Sequence, residues 1–183
     1  MQLSPTYRDQ SPAGVIRQLR PSDLTRFRDH LVRLDPESRR DRFNGVTDNA
    51  FVTAYAERCF REGTTVIGYV RDGVVQGAAE LHERPDLAEP TGEIAFSVER
   101  NLQNQGIGSQ LFRRLIGHAL ALGYEKLRVT THSNNDAMKS LARKFDARLT
   151  FEDGETVGLI DLSGVRMSVV TELPSGPVIR AAI

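Results

Sequence analysis

The sequence lacks several features that mark specialised classes of protein. It has a single cysteine, Cys59, so an internal disulfide framework is excluded and a reducing compartment is favoured. Lys plus Arg and Asp plus Glu number 24 each, so the net charge points to no nucleic-acid or membrane partner. No apolar run approaches membrane-spanning length, and the polar N-terminus lacks the apolar core of a signal peptide. We therefore expect a cytoplasmic protein without a nucleic-acid or membrane partner.

What remains is the composition of an ordinary globular chain. The 183 residues are 39% hydrophobic and 26% charged, and the length suits one domain with a sizeable core. We expect a flexible N-terminal leader over residues 1–14, where Pro and Ser recur and little can be buried. A globular domain is expected over residues 15–162. Residues 163–183 form a C-terminal extension whose pattern predicts no particular structure.

The hydrophobic pattern predicts a chain of mixed α and β structure. The predicted order is a strand, three helices, a hairpin, a strand, a long helix, a strand, a helix and a closing hairpin. Asp72-Gly73 and Asp153-Gly154 each separate two β-rich runs, which is a strong hairpin signal.

The most informative stretch lies in the middle of the chain. Residues 93–98 are a short apolar and β-branched run that predicts a strand. A polar loop follows, and apolar residues at helical spacing from Ile107 onward predict a long helix. Gly106 and Gly108 lie where that helix begins, so backbone N–H groups can closely approach a ligand. A helix N-terminus favours negative charge, which predicts an anionic ligand such as a pyrophosphate.

Three anion-binding motifs compete for this stretch. A Walker-type P-loop is excluded because no Gly-Lys-Ser or Gly-Lys-Thr follows the glycines. A Rossmann fingerprint would need a third glycine at Leu111 and glycines directly after the strand. The third pattern, Gln103-x-x-Gly106-x-Gly108 after a strand, resembles the acyl-coenzyme-A (acyl-CoA) loop of the GCN5-related N-acetyltransferases (GNAT family). A glycine-rich turn before a core helix remains the simpler alternative.

The order of elements over residues 15–162 also resembles the GNAT fold. The resemblance implies an α/β (α+β) domain with a central mixed, mostly antiparallel sheet, flanked by helices and splayed at the acyl-CoA strand. Within the family, the chain is most similar to the bacterial protein-lysine acetyltransferase branch. The similar stretches are Leu34-Asp35-Pro36-Glu37-Ser38 with Arg42-Phe43, the strand from Glu93 to Phe96, and Asn135-x-x-Met138-x-x-Leu141-Ala142-x-Lys144.

The resemblance implies an acyl-CoA-dependent N-acetyltransferase without a metal. Acetyl-CoA would be the acyl-donor cosubstrate, and the acceptor would be a primary amine on a protein lysine or a small molecule. The strand would pair with the pantetheine arm, the N–H of Val98 would face the thioester oxygen, and the loop would hold the pyrophosphate. The cofactor-binding candidates are Phe96, Ser97, Val98, Gln103, Asn104, Gln105, Gly106, Ile107, Gly108, Ser109 and Asn135.

Glu93 is the candidate catalytic residue. Transfer to an amine requires that the ammonium lose a proton, and a carboxylate in a pocket that excludes water can accept that proton. In the resembling branch, a glutamate at this place accepts the proton, often through water. The alternatives are that Glu93 is a solvated strand-end residue or that Glu80 or His82 is the base. Ala142 stands where many family members have a tyrosine that protonates the leaving thiolate, so this site would use water or no acid.

An arginine cluster, an acidic stretch and the single cysteine are interpreted without a role in the reaction chemistry. Arg39, Arg40 and Arg42 are interpreted as a solvated helix face, with a substrate site as the alternative. The acidic stretch over residues 80–93 is expected either to form a negative rim that attracts cationic amines or to be a solvated loop. Cys59 is expected to be a packed, inert thiol.

Two other classes of function stay open at this stage. One is a non-catalytic acyl-CoA-binding sensor or regulatory domain, which the absent tyrosine favours and Glu93 disfavours. The other is an interaction module that keeps the fold alone, which the intact glycine loop disfavours. A homodimer is compatible with the sequence but not predicted by it.

Overall fold

Within the residues that the structure describes, seven strands form one mixed sheet in the order β1-β2-β3-β4-β5-β7-β6. The computed structural model of the protein describes residues 14–61, 63–87 and 89–164. Neighbouring strands are antiparallel except for β4 and β5, which are parallel, so the predicted mixed, mostly antiparallel sheet is confirmed. The strands are β1 (Val15–Gln18), β2 (Thr64–Arg71), β3 (Val74–Glu83), β4 (Thr91–Val98), β5 (Lys126–His132), β6 (Arg148–Glu152) and β7 (Glu155–Asp161).

Five α-helices flank the sheet within the described ranges. They are α1 (Leu24–Arg33), α2 (Pro36–Phe43), α3 (Asn49–Arg58), α4 (Ile107–Ala121) and α5 (Asp136–Arg143). Three begin at side-chain caps that satisfy an otherwise free backbone N–H: Asp35 accepts from Ser38, Asp48 from Phe51, and Asn135 from Met138. These caps explain why short, polar segments such as α2 are helical.

Both predicted hairpins are present, as β2–β3 and β6–β7. Asp72 and Gly73 have φ of 52° and 77°, as the tight turn between β2 and β3 requires. Gly123 ends α4 at φ 83°. Asp146 has φ 59° after α5, a left-handed conformation that aspartate tolerates better than most residues.

The sheet separates two hydrophobic clusters. On one face, α4 and α5 bury residues such as Leu111, Phe112 and Leu115 against β3, β4 and β5. On the other face, α1 and α3 bury Phe27 and Leu31 among their neighbours. The α1–α3 side therefore covers one face of β4, and the α4–α5 side covers the other.

The sheet opens between β4 and β5. These two strands pair only over Thr91–Glu93 with Lys126–Arg128, although β4 continues to Val98 and β5 to His132. From residue 94 onward, the β5-facing backbone edge of β4 thus has no strand partner. This is the predicted splay, and it leaves room for a ligand to pair with β4.

Parts of the chain lie outside this description. The expected leader and C-terminal extension fall almost wholly outside the described residues, which begin at residue 14 and end at residue 164. Across the described ranges, no helix combines the length and apolarity that a bilayer crossing demands.

Candidate active site

The glycine loop forms a row of backbone donors at the start of α4. Gly106 is the residue before the helix and has φ 81°, a conformation that a β-branched residue would strain. Within the described chain, none of the N–H groups from Asn104 to Ser109 donates to another protein group. These residues include Gln105, Ile107 and Gly108. Such a row suits the oxygens of a pyrophosphate.

Two side chains border this row of donors. Lys144, just after α5, donates from Nζ to Ser109 Oγ at 3.1 Å and places a positive charge beside the loop. Gln103 Nε2 donates to the Val98 carbonyl at 3.0 Å and to Ser38 Oγ at 3.1 Å. The sequence placed Lys144 only in the stretch that is similar to the lysine acetyltransferase branch. Its position beside the loop makes it a further candidate for the anion site.

The end of β4 is fixed on both faces of the sheet. Phe96 stacks on Phe112 of α4 with ring centroids 4.8 Å apart. Ser97 points to the opposite side, where its hydroxyl lies 2.9 Å from Nε2 of the fully buried His30. Nδ1 of the same ring lies 3.3 Å from Glu99. Packing on both faces leaves the β4 backbone edge as the part that can bind a ligand.

A cavity of about 270 Å³ lies where β4 and β5 separate. One wall is the end of α2 with Tyr55 of α3. The other walls are the β4 segment from Glu93 to Phe96, the β5 segment from Val129 to Thr131, and the start of α5. His82 of β3 also lines it, so Glu93 and His82, two of the candidate bases, border the same space.

Glu93 is held by three donors. Oε2 accepts from Arg84 at 2.9 Å and from Arg128 at 3.1 Å, and Oε1 accepts from Thr130 at 3.0 Å. The side chain is 21% exposed, so it remains open to the cavity. These contacts hold the Glu93 side chain at the cavity wall.

Glu80 is the centre of a buried polar network beside the same cavity. Its carboxylate is fully buried, and Oε2 accepts from Arg42 at 2.6 Å and from the Tyr55 hydroxyl. His82 Nε2 lies 3.2 Å from both Glu80 Oε2 and the Tyr55 oxygen. Burial alone would raise the pKa of Glu80, but the charge of Arg42 and the contact with His82 outweigh it and hold that pKa well below its usual range.

The network corrects the interpretation of Arg42 as part of a solvated face. Its side chain is 7% exposed and packs over the rings of Phe43 and Tyr55 while it pairs with Glu80. Burial and the charge of Glu80 raise the pKa of the Tyr55 hydroxyl. Sequence reasoning missed Arg42 and Tyr55 because their common partner, Glu80, is on another element, 38 and 25 residues away in the chain.

Cys59 is buried in the same network. Burial, followed by the charge of Glu80, raises the pKa of its thiol, which suits the expected inert role. Its sulfur and the ligand atoms of Glu80 and His82 lie within 4.8 Å of one another, a spacing that a metal ion can bridge. Arg42 already supplies the positive charge that the buried carboxylate requires, so we assign no metal to this cluster.

The predicted negative rim is largely neutralised in the structure. Glu80 is buried, Asp86 pairs with Arg84, and Glu89 pairs with Lys126. Because Glu93 is paired as well, this stretch presents far less negative charge than its composition suggests. These ion pairs weaken the cation-attracting rim that is one of the two alternatives for this stretch.

The start of α5 contributes a cap and a buried alanine. Asn135 borders the cavity, and its Oδ1 accepts from the Met138 N–H at 2.9 Å. Ala142 is 1% exposed within the hydrophobic cluster under α4. Tyr55 lies on the opposite, α1–α3 side of the sheet, whereas Tyr69 and Tyr124 pack against the cluster that contains Ala142.

Comparison with known proteins identifies the family to which this fold belongs. The sequence model of the acetyltransferase (GNAT) family matches residues 25–147, well over half of the chain. The chain belongs to the GNAT acetyltransferase family.

Solved structures share this fold at low sequence identity. The GNAT domain of Streptomyces lividans PAT has 18% identity and a TM-score of 0.70, and the match covers 85% of this chain and 99% of that domain. An N-acetyltransferase from Staphylococcus aureus Mu50 has 23% identity and a TM-score of 0.63, over 82% and 99% of the two chains. A phosphinothricin acetyltransferase from Sinorhizobium meliloti, solved with acetyl-CoA, has 15% identity and a TM-score of 0.59, over 82% and 89%.

Proposed function

We propose that this protein transfers an acetyl group from acetyl-CoA to a primary amine by direct attack in a ternary complex. Its family supports acetyl-CoA-dependent acetyl transfer. The observation that carries the proposal is the cavity at the separation of β4 and β5, which Glu93 borders and which lies along the β4 edge that runs toward the glycine loop. The acceptor is a protein lysine or a small amine, in keeping with the resemblance to the lysine acetyltransferase branch. We also propose a cytoplasmic location.

The residues of this chain suit the groups of acetyl-CoA. The free N–H groups from Asn104 to Ser109, with Lys144 beside them, would bind the pyrophosphate. The open edge of β4 from Ile94 to Val98 would pair with the pantetheine arm. When bound, the thioester supplies the acyl group. The N–H of Val98 would stabilise the oxygen that becomes negative during attack.

Glu93 would accept the proton of the attacking amine. Loss of one proton to Glu93 leaves the nitrogen lone pair free to attack the carbonyl carbon. When the tetrahedral adduct collapses, the carbon–sulfur bond breaks and the second proton of the nitrogen passes through water to the leaving thiolate. The partly exposed position of Glu93 on the cavity wall supports this role. Its contacts with Arg84 and Arg128 would fix the carboxylate in place before the amine arrives.

A second candidate function is an acyl-CoA-binding sensor. The observation that favours it is the engagement of both Glu93 oxygens by protein donors, together with the buried Ala142. A sensor would bind acetyl-CoA without releasing thiol in the presence of amines.

One assay separates the two functions. The purified protein is incubated with acetyl-CoA and a panel of amines that includes lysine-containing peptides, polyamines and amino acids. Released thiol is followed with a chromogenic disulfide, and acetylated product is identified by mass spectrometry. Amine-dependent thiol release with matching product supports the enzyme, whereas saturable binding without release supports the sensor.

A further inference from the structure

Asp41 is an acidic side chain of the cavity to which the proposed function gives no role. It is half-buried, lies near the end of α2 and borders the cavity. On the same helix, Ser38 accepts from Gln103 in the loop after β4, and Arg42 donates to a carboxylate of β3. Positions 38, 41 and 42 share one face of a helix because neighbours on that face are three or four residues apart. Asp41 therefore lies on the face of α2 that is turned toward the sheet.

The end of α2 is attached to the sheet on both sides of Asp41. Arg42 is fixed to β3 through the buried network described above. Asn44 Oδ1 accepts from the His132 N–H of β5 at 3.1 Å, and its Nδ2 donates to Glu155 of β7 at 2.9 Å. These contacts fix the backbone around Asp41 in the absence of any acceptor, so binding to its carboxylate costs little ordering.

The charge of Asp41 differs from that of the other carboxylate on the cavity. Among the described residues that border the cavity, the acidic side chains are Asp41 and Glu93. Glu93 pairs with Arg84 at 2.9 Å and with Arg128 at 3.1 Å. The ion pairs found within the described ranges for α2, its cap and this cavity involve other acidic residues, and none involves Asp41. A half-buried carboxylate without such a partner attracts a cation on a ligand.

The cation that suits Asp41 is a part of the acceptor other than the attacking nitrogen. Asp41 is on the α2 wall of the cavity, whereas Glu93, which would take the proton of the attacking amine, is on the β4 wall. The attacking nitrogen becomes neutral before it reacts, so a pair with it would be lost. A group that stays charged keeps its pair with Asp41 throughout the reaction.

We infer that Asp41 is a substrate-binding residue that pairs with a second cationic group of the acceptor. The preferred acceptors are then amines that carry two positive charges. This inference rests on the proposed function and selects among the primary amines that it allows. A small diamine and a lysine next to a basic residue both supply such a group, and the test separates these two sources.

The test compares diamines with amino alcohols of the same chain length, in which a neutral hydroxyl replaces the second ammonium. The wild type should prefer the diamine in kcat/KM well beyond the statistical advantage of a symmetrical acceptor. Asp41→Asn should lower this preference roughly 5- to 10-fold, as expected for a charged hydrogen bond that is only half-buried. The change should appear as a higher KM for the diamine. Because the ratio compares two acceptors on one protein, a general loss of stability or of acetyl-CoA affinity cancels out of it.

Glu57→Gln is the matched control for the lost charge. Glu57 is exposed on α3 and does not border the cavity. Its variant should keep the wild-type preference, since only a local pair is proposed. An equal loss in Glu57→Gln would overturn the inference, and so would an unchanged preference in a folded Asp41→Asn protein.

Salt provides a second measurement that needs no variant. Ions screen a partly exposed pair, so the wild-type preference for the diamine should fall as potassium chloride is added. A preference that does not depend on salt would contradict a pair with Asp41 even if Asp41→Asn does not fold.

A peptide series identifies the source of the second charge. Lysine peptides with arginine next to the lysine are compared with the same peptides carrying glutamine there. A preference that depends on Asp41 in the peptides supports a protein acceptor, and one confined to the diamines supports a small acceptor. Wild-type turnover without a preference in either series would overturn this inference alone. Failure of the wild type to acetylate any amine would overturn the proposed function as well.

Discussion

The role of Glu93 is the first question at the scale of single residues. Glu93→Gln keeps the size of the side chain and an acceptor for Arg84, but it removes the proton acceptor. General-base assistance is typically worth ~10²–10⁴-fold in rate, so we expect turnover to fall by about that factor at neutral pH. The loss should shrink as pH rises because more of the amine then arrives neutral. Steady-state rates across pH measure both effects.

The control for Glu93 comes from the same loop region. Glu89→Gln removes a carboxylate that pairs with Lys126 outside the cavity, so its rates should match those of the wild type. Acetyl-CoA affinity should be the same in both variants. Near-wild-type turnover of Glu93→Gln at neutral pH would contradict the assignment and direct attention to His82 or to water alone.

His30 makes stability depend on pH. Burial lowers the pKa of this fully buried imidazole, although Glu99 acts in the opposite direction. The unfolded chain therefore binds the proton more readily, and the stability that neutral His30 provides is complete above its unfolded pKa near 6.5. That stability is lost as pH falls from about 6.5 toward the lower folded pKa, by at most about 1.4 kcal/mol per pH unit for one proton.

A substitution isolates this contribution. His30→Gln keeps a side chain able to bond Ser97 but cannot titrate. Urea unfolding at pH 7.5 and pH 5.5 gives the free energy of unfolding of both proteins. We expect the decrease on acidification to be smaller in His30→Gln than in the wild type. An equal decrease in the two proteins would show that His30 is not the group responsible.

Residue roles differ in how far the sequence predicts them. Glu93 and the glycine loop are predicted as site candidates from one contiguous stretch, because strand and loop are adjacent in the chain. Arg42 was misinterpreted because a buried arginine looks like a solvated one until its partner is known. That partner, Glu80, is on another layer of the fold, and no local spacing reveals a contact between α2 and β3.

At the scale of elements, the predictive signals were hydrophobic period and turn chemistry. The period separated the long helix α4 from its flanking strands, and Asp-Gly turns located both hairpins. The sequence predicted the start of β4 less accurately, at residue 93. It begins at Thr91, because pairing with β3 and β5 extends the strand past Gly92, a residue that local preference assigns to a boundary.

The glycine loop and α4 allow a clean test of cofactor binding. A Cβ at Gly108 would meet only Leu141 Cδ2, at 3.5 Å, so the fold accommodates a side chain there. Valine also has no worse helix propensity than glycine. Gly108→Val should nevertheless block close approach of a pyrophosphate to the loop and abolish acetyl-CoA binding in titration calorimetry.

Gly117→Val is the matched control for that experiment. Gly117 is on the same helix, away from the loop, and a Cβ there would meet nothing within 4 Å. Its variant should bind acetyl-CoA as the wild type does. Unchanged affinity in a folded Gly108→Val protein would refute the assignment of the glycine loop.

At the scale of the whole molecule, the separation of β4 and β5 divides the sheet into two halves. The halves are joined by only three residue pairs between β4 and β5 and by the helices packed on each face. A ligand that pairs with the free edge of β4 and also binds the start of α4 would bridge the sheet and a helix. Such a ligand should stabilise the entire fold rather than one loop.

Thermal unfolding with increasing acetyl-CoA tests this expectation. A ligand that binds only the folded state at 100 times its Kd adds about 2.7 kcal/mol. For a chain of this size, about 1 kcal/mol shifts Tm by roughly 2–4 °C, so Tm should rise by about 5–11 °C. The shift should increase with the logarithm of ligand concentration above Kd, persist in Gly117→Val and vanish in Gly108→Val. A rise of equal size in Gly108→Val would mean that acetyl-CoA stabilises the protein from a site other than the glycine loop, because that variant lacks the close approach on which the loop site depends.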